Sequence, residues 1–178
     1  MRLLIISNGP SATAADEMDL GAFDFVAGVN WTVSRWPCSH WVIRDTKTFA
    51  GIIPIGRPVL FASQNARKLE TWDPAAYAIL QAWPTIWHSD VHLPTPAGGT
   101  PWNNWSGVAA MGLAVAIEGI QEVHIVGADM DGDKDFRGEE GASRYESRWK
   151  DERSVFARNK RFLEGRGIKV FRRLAAHG

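Results

Sequence analysis

Short apolar runs alternate with turn-forming residues along the whole chain. Seven of these runs have the length and the residue types of β-strands, and Gly, Pro, Asn or Asp residues bound them. They are residues 3–7, 23–30, 40–45, 59–63, 85–92, 122–127 and 168–174. The weakest pattern is that of 85–92. The last run alternates apolar and polar positions, which predicts a strand at the edge of a sheet.

Two longer segments in the second half predict helices. Residues 106–119 are apolar on all sides and contain no proline, which predicts one buried helix that ends at Gly119. Residues 148–164 are charged but carry Val155, Phe156, Phe162 and Leu163 at helical spacing. Strand, helix, strand, helix and strand in succession indicate parallel pairing. We therefore expect one α/β domain over 1–178: a Rossmann-like open, mostly parallel sheet with helices on both faces.

Composition narrows the classes of function. The chain has 178 residues, and its 20 Lys and Arg residues balance 20 Asp and Glu residues. Zero net charge argues against a nucleic-acid coat or a membrane-surface protein, so we expect no nucleic-acid partner. Cys38 is the only cysteine, which excludes a disulfide within the chain. No apolar run approaches the roughly 20 residues that span a bilayer, so we expect a cytoplasmic protein without a membrane span.

Polar residues follow four of the predicted strands. In open parallel sheets, ligands bind beyond the carboxyl ends of the strands. Gly9 allows a close approach of the backbone to a ligand, and Ser11 is suited to cap a helix whose amides face a phosphate. An ordinary tight turn is the alternative for this segment. The candidate ligand-binding residues at these strand ends are Asn8, Gly9, Pro10, Ser11, Asn30, Trp31 and Asp45.

Two further motifs belong to the second half of the chain. Ser106 and Gly107 open the predicted buried helix, where they either approach a bound anion or simply cap the helix. Asp129 and Asp131 follow the apolar run 122–127 directly, and their hard carboxylate oxygens suit Mg²⁺ or Mn²⁺ beside a diphosphate. A solvated acidic loop is the alternative. Lys134 stands where an EF-hand needs glycine, which argues against a calcium loop.

Arginine is concentrated in and before the last predicted helix. A guanidinium group forms two-point contacts with phosphate oxygens, so Arg148 or Arg153 is a candidate to neutralise a leaving group. A solvated charged face is the alternative.

Nine tryptophans are an unusual number for this length. We expect Trp31 and Trp105, and with less support Trp102 and Trp149, to stack on a base or sugar. The remaining five are expected to fill the core.

The segments LLIISNGPS (3–11) and WSGVAAMGLAVAIEGIQEVHIVGADM (105–130) resemble the family 42 bacterial sialyltransferases and the related 6-hydroxymethylpterin pyrophosphokinase (MptE)-like group. The resemblance implies a Rossmann-like fold with a nucleotide in the cleft. It also implies that Asn8, Gly9 and Ser11 line the cleft. By the same resemblance, Asn30 contacts the nucleotide, Ser106 and Gly107 approach its phosphate or ribose, and Asp129 ends the adjacent strand. Residues 149–154, which align with the general-base region of the sialyltransferases, contain no histidine.

These observations lead to one main hypothesis and two alternatives. The first is a glycosyltransferase-like enzyme that uses a nucleotide or nucleotide sugar, a small-molecule or glycan acceptor, and Mg²⁺ or Mn²⁺. Asp129, Asp131 and Arg148 are its candidate catalytic residues, and Asp45, Asp131 and Asp151 are candidate bases by residue type alone. The alternatives are an Mg²⁺-dependent pyrophosphokinase and a non-catalytic nucleotide-binding or interaction module. Because related proteins assemble, a homo-oligomer is also expected.

Overall fold

Seven parallel strands form one sheet in the computed structural model, which describes residues 1–43, 51–62, 74–87, 106–140 and 145–173. The strands are β1 (Arg2–Ile6), β2 (Phe25–Val29), β3 (His40–Ile43), β4 (Val59–Ala62), β5 (Thr85–Trp87), β6 (Glu122–Val126) and β7 (Lys169–Arg172). Every adjacent pair is parallel, in the order β5-β4-β3-β2-β1-β6-β7. The predicted α/β fold class is confirmed, and β7 lies at an edge as expected.

Alternation of side chains along the strands builds two apolar layers, one on each face of the sheet. On β1, Leu3 and Ile5 enter one layer, whereas Leu4 and Ile6 enter the other. All four side chains are fully buried. Because consecutive side chains of a strand point to opposite faces, an unbroken apolar run requires cover on both sides. The continuous apolar pattern of 3–7 therefore already indicated a central strand.

Helices cover both faces. The α-helices are α1 (Pro74–Gln81), α2 (Ser106–Ala110), α3 (Leu113–Ala116) and α4 (Glu146–Glu164). Three 3₁₀ helices lie earlier in the chain, at Pro10–Glu17, Leu20–Ala22 and Asn30–Ser34. Residues of α2, α3 and α4 pack on the layer that contains Leu3. The 3₁₀ helix Pro10–Glu17 contributes Ala12 and Ala15 to the opposite layer. The pattern of the sequence did not predict α1.

The prediction of a single helix over 106–119 is wrong, because this segment forms the two short helices α2 and α3. Around the break, the amides of Met111 and Gly112 donate to the carbonyls of Val108 and Ala109, three residues earlier, at 3.1 and 2.9 Å. Such bonds tighten the turn into a 3₁₀ form. Ile117 then adopts an extended backbone and ends α3. The apolar pattern predicted burial correctly, but it does not determine which hydrogen-bond ladder the backbone follows.

The order of the strands creates a switch point beside β1. From β1 the chain builds the sheet in one direction as far as β5, and it then returns to place β6 on the other side of β1. The segments after β1 and β6 therefore lead to helices on opposite faces of the sheet, and the carboxyl ends of these strands mark the switch point. None of the helices in the described part of the chain combines the length and the apolar composition that crossing a bilayer requires.

Candidate functional site

A cavity of about 300 Å³ opens at the carboxyl ends of β1, β2 and β6. The segments after these three strands form its floor, and α2, α4 and the loop after β6 form its walls. From the strand ends it is lined by Ser7, Asn8, Gly9, Val29, Asn30, Trp31, Gly127, Ala128 and Met130. Its walls are lined by Gly107, Asp135, Arg137, Glu139, Glu140, Arg148, Trp149 and Glu152. The cavity lies at the switch point of the sheet.

Two residues with an unusual backbone conformation line this cavity. Within the described residues, Asn30 at φ 49° and Met130 at φ 56° are the non-glycine residues with a positive φ. The indole nitrogen of Trp41 donates to the Asn30 carbonyl at 3.1 Å, and this bond holds the strained backbone. The side-chain Oδ1 of Asn30 is buried and has no hydrogen-bond partner in the part of the chain that the structure describes. Strained residues and unpaired buried polar atoms both concentrate at functional sites.

Two glycines allow the loops after β1 and β6 to touch. The Gly9 amide donates to the Gly127 carbonyl at 2.7 Å. A Cβ on Gly9 would lie 2.3 Å from Asp129 Oδ2, and a Cβ on Gly127 would lie 2.2 Å from the Ser7 carbonyl oxygen. Gly127 also has a φ of +73°, which disfavours any side chain. At Gly9 the close approach is to the neighbouring loop, and the approach to a ligand stays a prediction.

The Asp129 carboxylate joins the same two loops. Its Oδ2 accepts a hydrogen bond from the Ser11 amide at 2.8 Å. The Ser11 hydroxyl in turn accepts from the Gly127 amide at 3.0 Å. Asp129 therefore anchors the start of the 3₁₀ helix Pro10–Glu17, as an N-terminal capping residue does.

The predicted pair of metal ligands does not meet at the cavity. Neither Asp129 nor Asp131 lines it, and Asp131 is exposed to solvent. In the described ranges, no group of three or more His, Cys, Asp or Glu side chains is arranged to hold a metal ion. One oxygen of Asp129 accepts from the backbone amide of Ser11, and a metal ion at Asp129 and Asp131 stays a prediction.

The loop after β6 is held down at several points and forms a wall of the cavity. Arg153 donates to the Met130 carbonyl at 2.8 Å, and the Trp149 indole donates to the Gly132 carbonyl at 3.0 Å. Further along, the Phe136 amide donates to the Asn8 carbonyl at 3.0 Å. These bonds connect the loop to both α4 and the end of β1.

Arg137 closes one side of the cavity above Trp31. Its guanidinium carbon lies 4.4 Å from the centre of the indole ring, within the range of a cation–π contact. Asp135 and Glu139 each lie 2.8 Å from Arg137 Nη2. Trp31 therefore lies at the cavity as expected, with a cationic group over its ring.

Arg148 and Glu152 enter the cavity from the first turns of α4. Arg148 Nε lies 3.5 Å from Glu152 Oε2, and Glu152 is only 7% exposed. Arg153, the other candidate arginine, instead contacts Met130 and Glu146. Of the two arginines, Arg148 is therefore the one placed to meet a ligand.

Sequence reasoning missed Ser7 and Glu152. A signal for Glu152 was present, because it lies three residues before Val155 and four before Phe156, on the side of α4 that is buried. A carboxylate among buried apolar positions needs a partner or a role. The signal was hidden by the many exposed charges of the same helix.

The candidate residues thus fall into three groups. Those that line the cavity are Asn8, Gly9, Asn30, Trp31, Gly107 and Arg148. Those that do not line it are Pro10, Ser11, Asp129 and Asp131; Asp151 is exposed on α4. Asp45, the side chain of Ser106, Trp102 and Trp105 lie outside what the structure describes.

Of the five tryptophans expected in the core, Trp72 and the side chain of Trp87 lie outside the described residues. Trp36 and Trp41 are buried, and Trp83 packs partly buried beside Trp41. Trp149 is also buried, although it contributes to the wall of the cavity.

Two titratable groups with shifted pKa values lie away from the cavity. Burial raises the pKa of the Cys38 thiol to about 12, so this thiol stays protonated at neutral pH. Burial also lowers the pKa of His40, at the start of β3. Neither residue lines the cavity.

No protein-family model, curated protein or solved structure matches this chain. The resemblance to the family 42 sialyltransferases and the MptE-like group stays a prediction. The function proposed below rests on the geometry of the cavity.

Proposed function

We propose that the cavity at the switch point binds a nucleotide or nucleotide sugar and that the chain transfers a group from this donor. The position of the cavity carries the proposal. It lies at the carboxyl ends of β1, β2 and β6, on the edge of a parallel sheet where open α/β folds bind their ligands. A volume of about 300 Å³ is at the small end of the range of ligand-binding cavities.

The lining supplies one group for each part of a nucleotide. The unpaired Asn30 Oδ1 is an acceptor that suits a ribose hydroxyl or a base amino group. Trp31 offers an aromatic ring for stacking. Arg148 offers a guanidinium for the phosphates, and it would stabilise negative charge on the leaving group. No step of the proposed reaction is assigned to Asp129 or Asp131, and the requirement for Mg²⁺ or Mn²⁺ stays a prediction.

The first test is thermal unfolding with CMP, UDP, AMP and ATP, each with and without Mg²⁺. A bound nucleotide raises stability by mass action, by about 2.7 kcal/mol at a concentration of 100 times Kd. We expect at least one nucleotide to raise Tm. The arms with Mg²⁺ test the metal prediction separately. If none of these nucleotides raises Tm, the proposal is wrong.

Asn30→Gly is the matched variant for this test. Glycine accepts the positive φ without strain and removes the unpaired amide, so we expect the free protein to gain roughly 0.5–1 kcal/mol of stability. The same variant should lose most of the Tm rise on adding nucleotide. If Asn30→Gly binds nucleotide as tightly as the wild type does, Asn30 is not part of the binding site.

The products distinguish the two reactions. Glycosyl transfer releases a nucleoside mono- or diphosphate from a sugar donor, whereas pyrophosphoryl transfer converts ATP to AMP. Nucleotide analysis by anion-exchange chromatography after incubation with each donor separates them. A protein that binds nucleotide but yields neither product is a binding module.

A further inference from the structure

We propose that the base of the bound nucleotide stacks on the guanidinium group of Arg137. The inference rests on the nucleotide binding proposed above and deepens it, because it names the residue that receives the base. Arg137 and Trp31 both line the cavity, and the guanidinium carbon lies 4.4 Å from the centre of the Trp31 ring. In the proposed complex, Arg137 lies between Trp31 and the base.

The gap between Arg137 and Trp31 is too narrow for a base. Carbon atoms in contact lie about 3.5–4.0 Å apart, so a flat ring between the two groups would need a gap of roughly 7 Å. The distance of 4.4 Å corresponds to direct contact. This side of the Trp31 ring is therefore occupied, and a base reaches it only through Arg137 or after Arg137 has left.

Two carboxylates hold Arg137 in place. Asp135 Oδ2 accepts from Nε at 3.0 Å and from Nη2 at 2.8 Å, and Glu139 Oε2 lies 2.8 Å from Nη2. Asp135 is itself fixed, because its Oδ1 accepts from the amides of Arg137 and Glu139 at 2.8 and 3.2 Å. Because a move away from Trp31 would break these contacts, the guanidinium is a prearranged surface for a ligand.

One face of the guanidinium group remains for this ligand. Among the described residues, Trp31 is the only aromatic ring that it contacts, and its Nη1 has no hydrogen-bond partner. The side chain is 27% exposed and lines the cavity. Guanidinium groups stack on aromatic rings and on nucleobases. A base on the face opposite Trp31 would complete a stack of three layers.

The charges around Arg137 favour a base over a phosphate group. Asp135 and Glu139 each lie 2.8 Å from Nη2 and offset the positive charge of the guanidinium. A phosphate bound to Nη1 would lie near both carboxylates, and like charges repel each other. A nucleobase is uncharged at neutral pH, and every base offers a flat face for stacking. Arg148 remains the candidate for the phosphates.

The experiment is calorimetric titration, at one salt concentration, with CMP, UMP, AMP and ribose 5-phosphate. In the wild type, we expect each nucleotide to bind more tightly than ribose 5-phosphate, which lacks the base. Arg137→Ala should raise the Kd of all three nucleotides by roughly 5- to 100-fold, because stacking does not depend on which base is present. The Kd of ribose 5-phosphate should stay within about 2-fold of the wild-type value.

Two further variants separate the flat group from its charge. Arg137→Lys keeps the positive charge but loses the planar group, so it should weaken nucleotide binding as much as Arg137→Ala does. Arg166→Ala is the matched control, because Arg166 lies 4.8 Å from the centre of the Phe162 ring and neither residue lines the cavity. We expect Arg166→Ala to bind all four ligands as the wild type does.

The outcomes distinguish this proposal from the proposed function. A wild-type protein that binds none of the nucleotides overturns both. Wild-type binding of ribose 5-phosphate as tight as that of the nucleotides overturns the role of Arg137 alone, and this comparison needs no variant to fold. The role is also overturned if Arg137→Ala weakens ribose 5-phosphate as much as the nucleotides, which assigns Arg137 to the phosphate. Tighter nucleotide binding by Arg137→Ala overturns it as well, since Arg137 would then block Trp31.

Discussion

The loop after β6, residues 127–140, and the first turns of α4, residues 146–153, both line the cavity but use their charges differently. The loop is rich in carboxylates, and in the sequence it is the more conspicuous candidate for chemistry. In the structure, Asp129 and Asp135 accept hydrogen bonds from backbone amides and organise the loop itself. The helix contributes one buried carboxylate, Glu152, to the cavity. The buried face of α4 therefore decides which of its carboxylates lies at the cavity.

The largest loss of stability is expected at Gly127, where the loop after β6 begins. Gly127→Ala should lower the free energy of unfolding by roughly 3 kcal/mol or more, because a Cβ overlaps the Ser7 carbonyl and the backbone has a positive φ. Urea denaturation measures the change. Gly132→Ala is the control, since Gly132 also has a positive φ but open space around it. Equal losses in the two variants would show that strain, and not the contact between the loops, dominates.

A smaller effect is expected for the carboxylate that ties the loop to β1. Asp129→Ala removes the acceptor of the Ser11 amide and should cost about 2 kcal/mol. The exposed Asp131→Ala should change stability by less than about 0.5 kcal/mol. Similar values for both would contradict the structural role of Asp129 and return the pair to the solvated-loop interpretation.

The connection between the loop and α4 can be tested next. Arg153→Ala loses the bond to the Met130 carbonyl, and we expect a loss of about 1 kcal/mol. Glu146→Gln breaks only the exposed ion pair of Arg153 and should cost less than about 0.5 kcal/mol. The two values come from thermal or urea unfolding. If Glu146→Gln costs as much as Arg153→Ala, the ion pair and not the carbonyl holds the loop.

The smallest effect on stability is expected from His40, which lies in neither region, and it depends on pH. Because burial lowers the pKa of His40 in the folded protein, the unfolded chain binds a proton there at a higher pH than the folded protein does. The stability contributed by the neutral ring is fully present above the unfolded value of 6.5 and is lost as pH falls through the lowered folded value. His40→Gln should flatten this part of the curve of unfolding free energy against pH. If the slope of unfolding free energy against pH is unchanged in His40→Gln, groups other than His40 cause the loss of stability at low pH.

Much of the fold could be predicted from the sequence, whereas the site could be predicted only in part. The apolar runs predicted all seven strands, because central parallel strands need apolar residues on both faces. The helix α1 was missed: it is only eight residues long, and it begins with a proline. Asn8, Asn30 and Trp31 were found because strand ends are recognisable. Glu152 was missed because its surroundings come from segments distant in the chain.

The sequence alone determined the parallel sheet and the strand ends that border the cavity, since alternation and turn residues act over short distances. The tertiary structure decided which polar groups meet. Asp129 reaches across 118 positions to the Ser11 amide, and Glu152 lines the cavity together with residues that follow β1, β2 and β6. Such pairings depend on which loops diverge at the switch point and on how α4 is rotated about its axis. These are properties of the packed chain, and no local pattern of residues contains them.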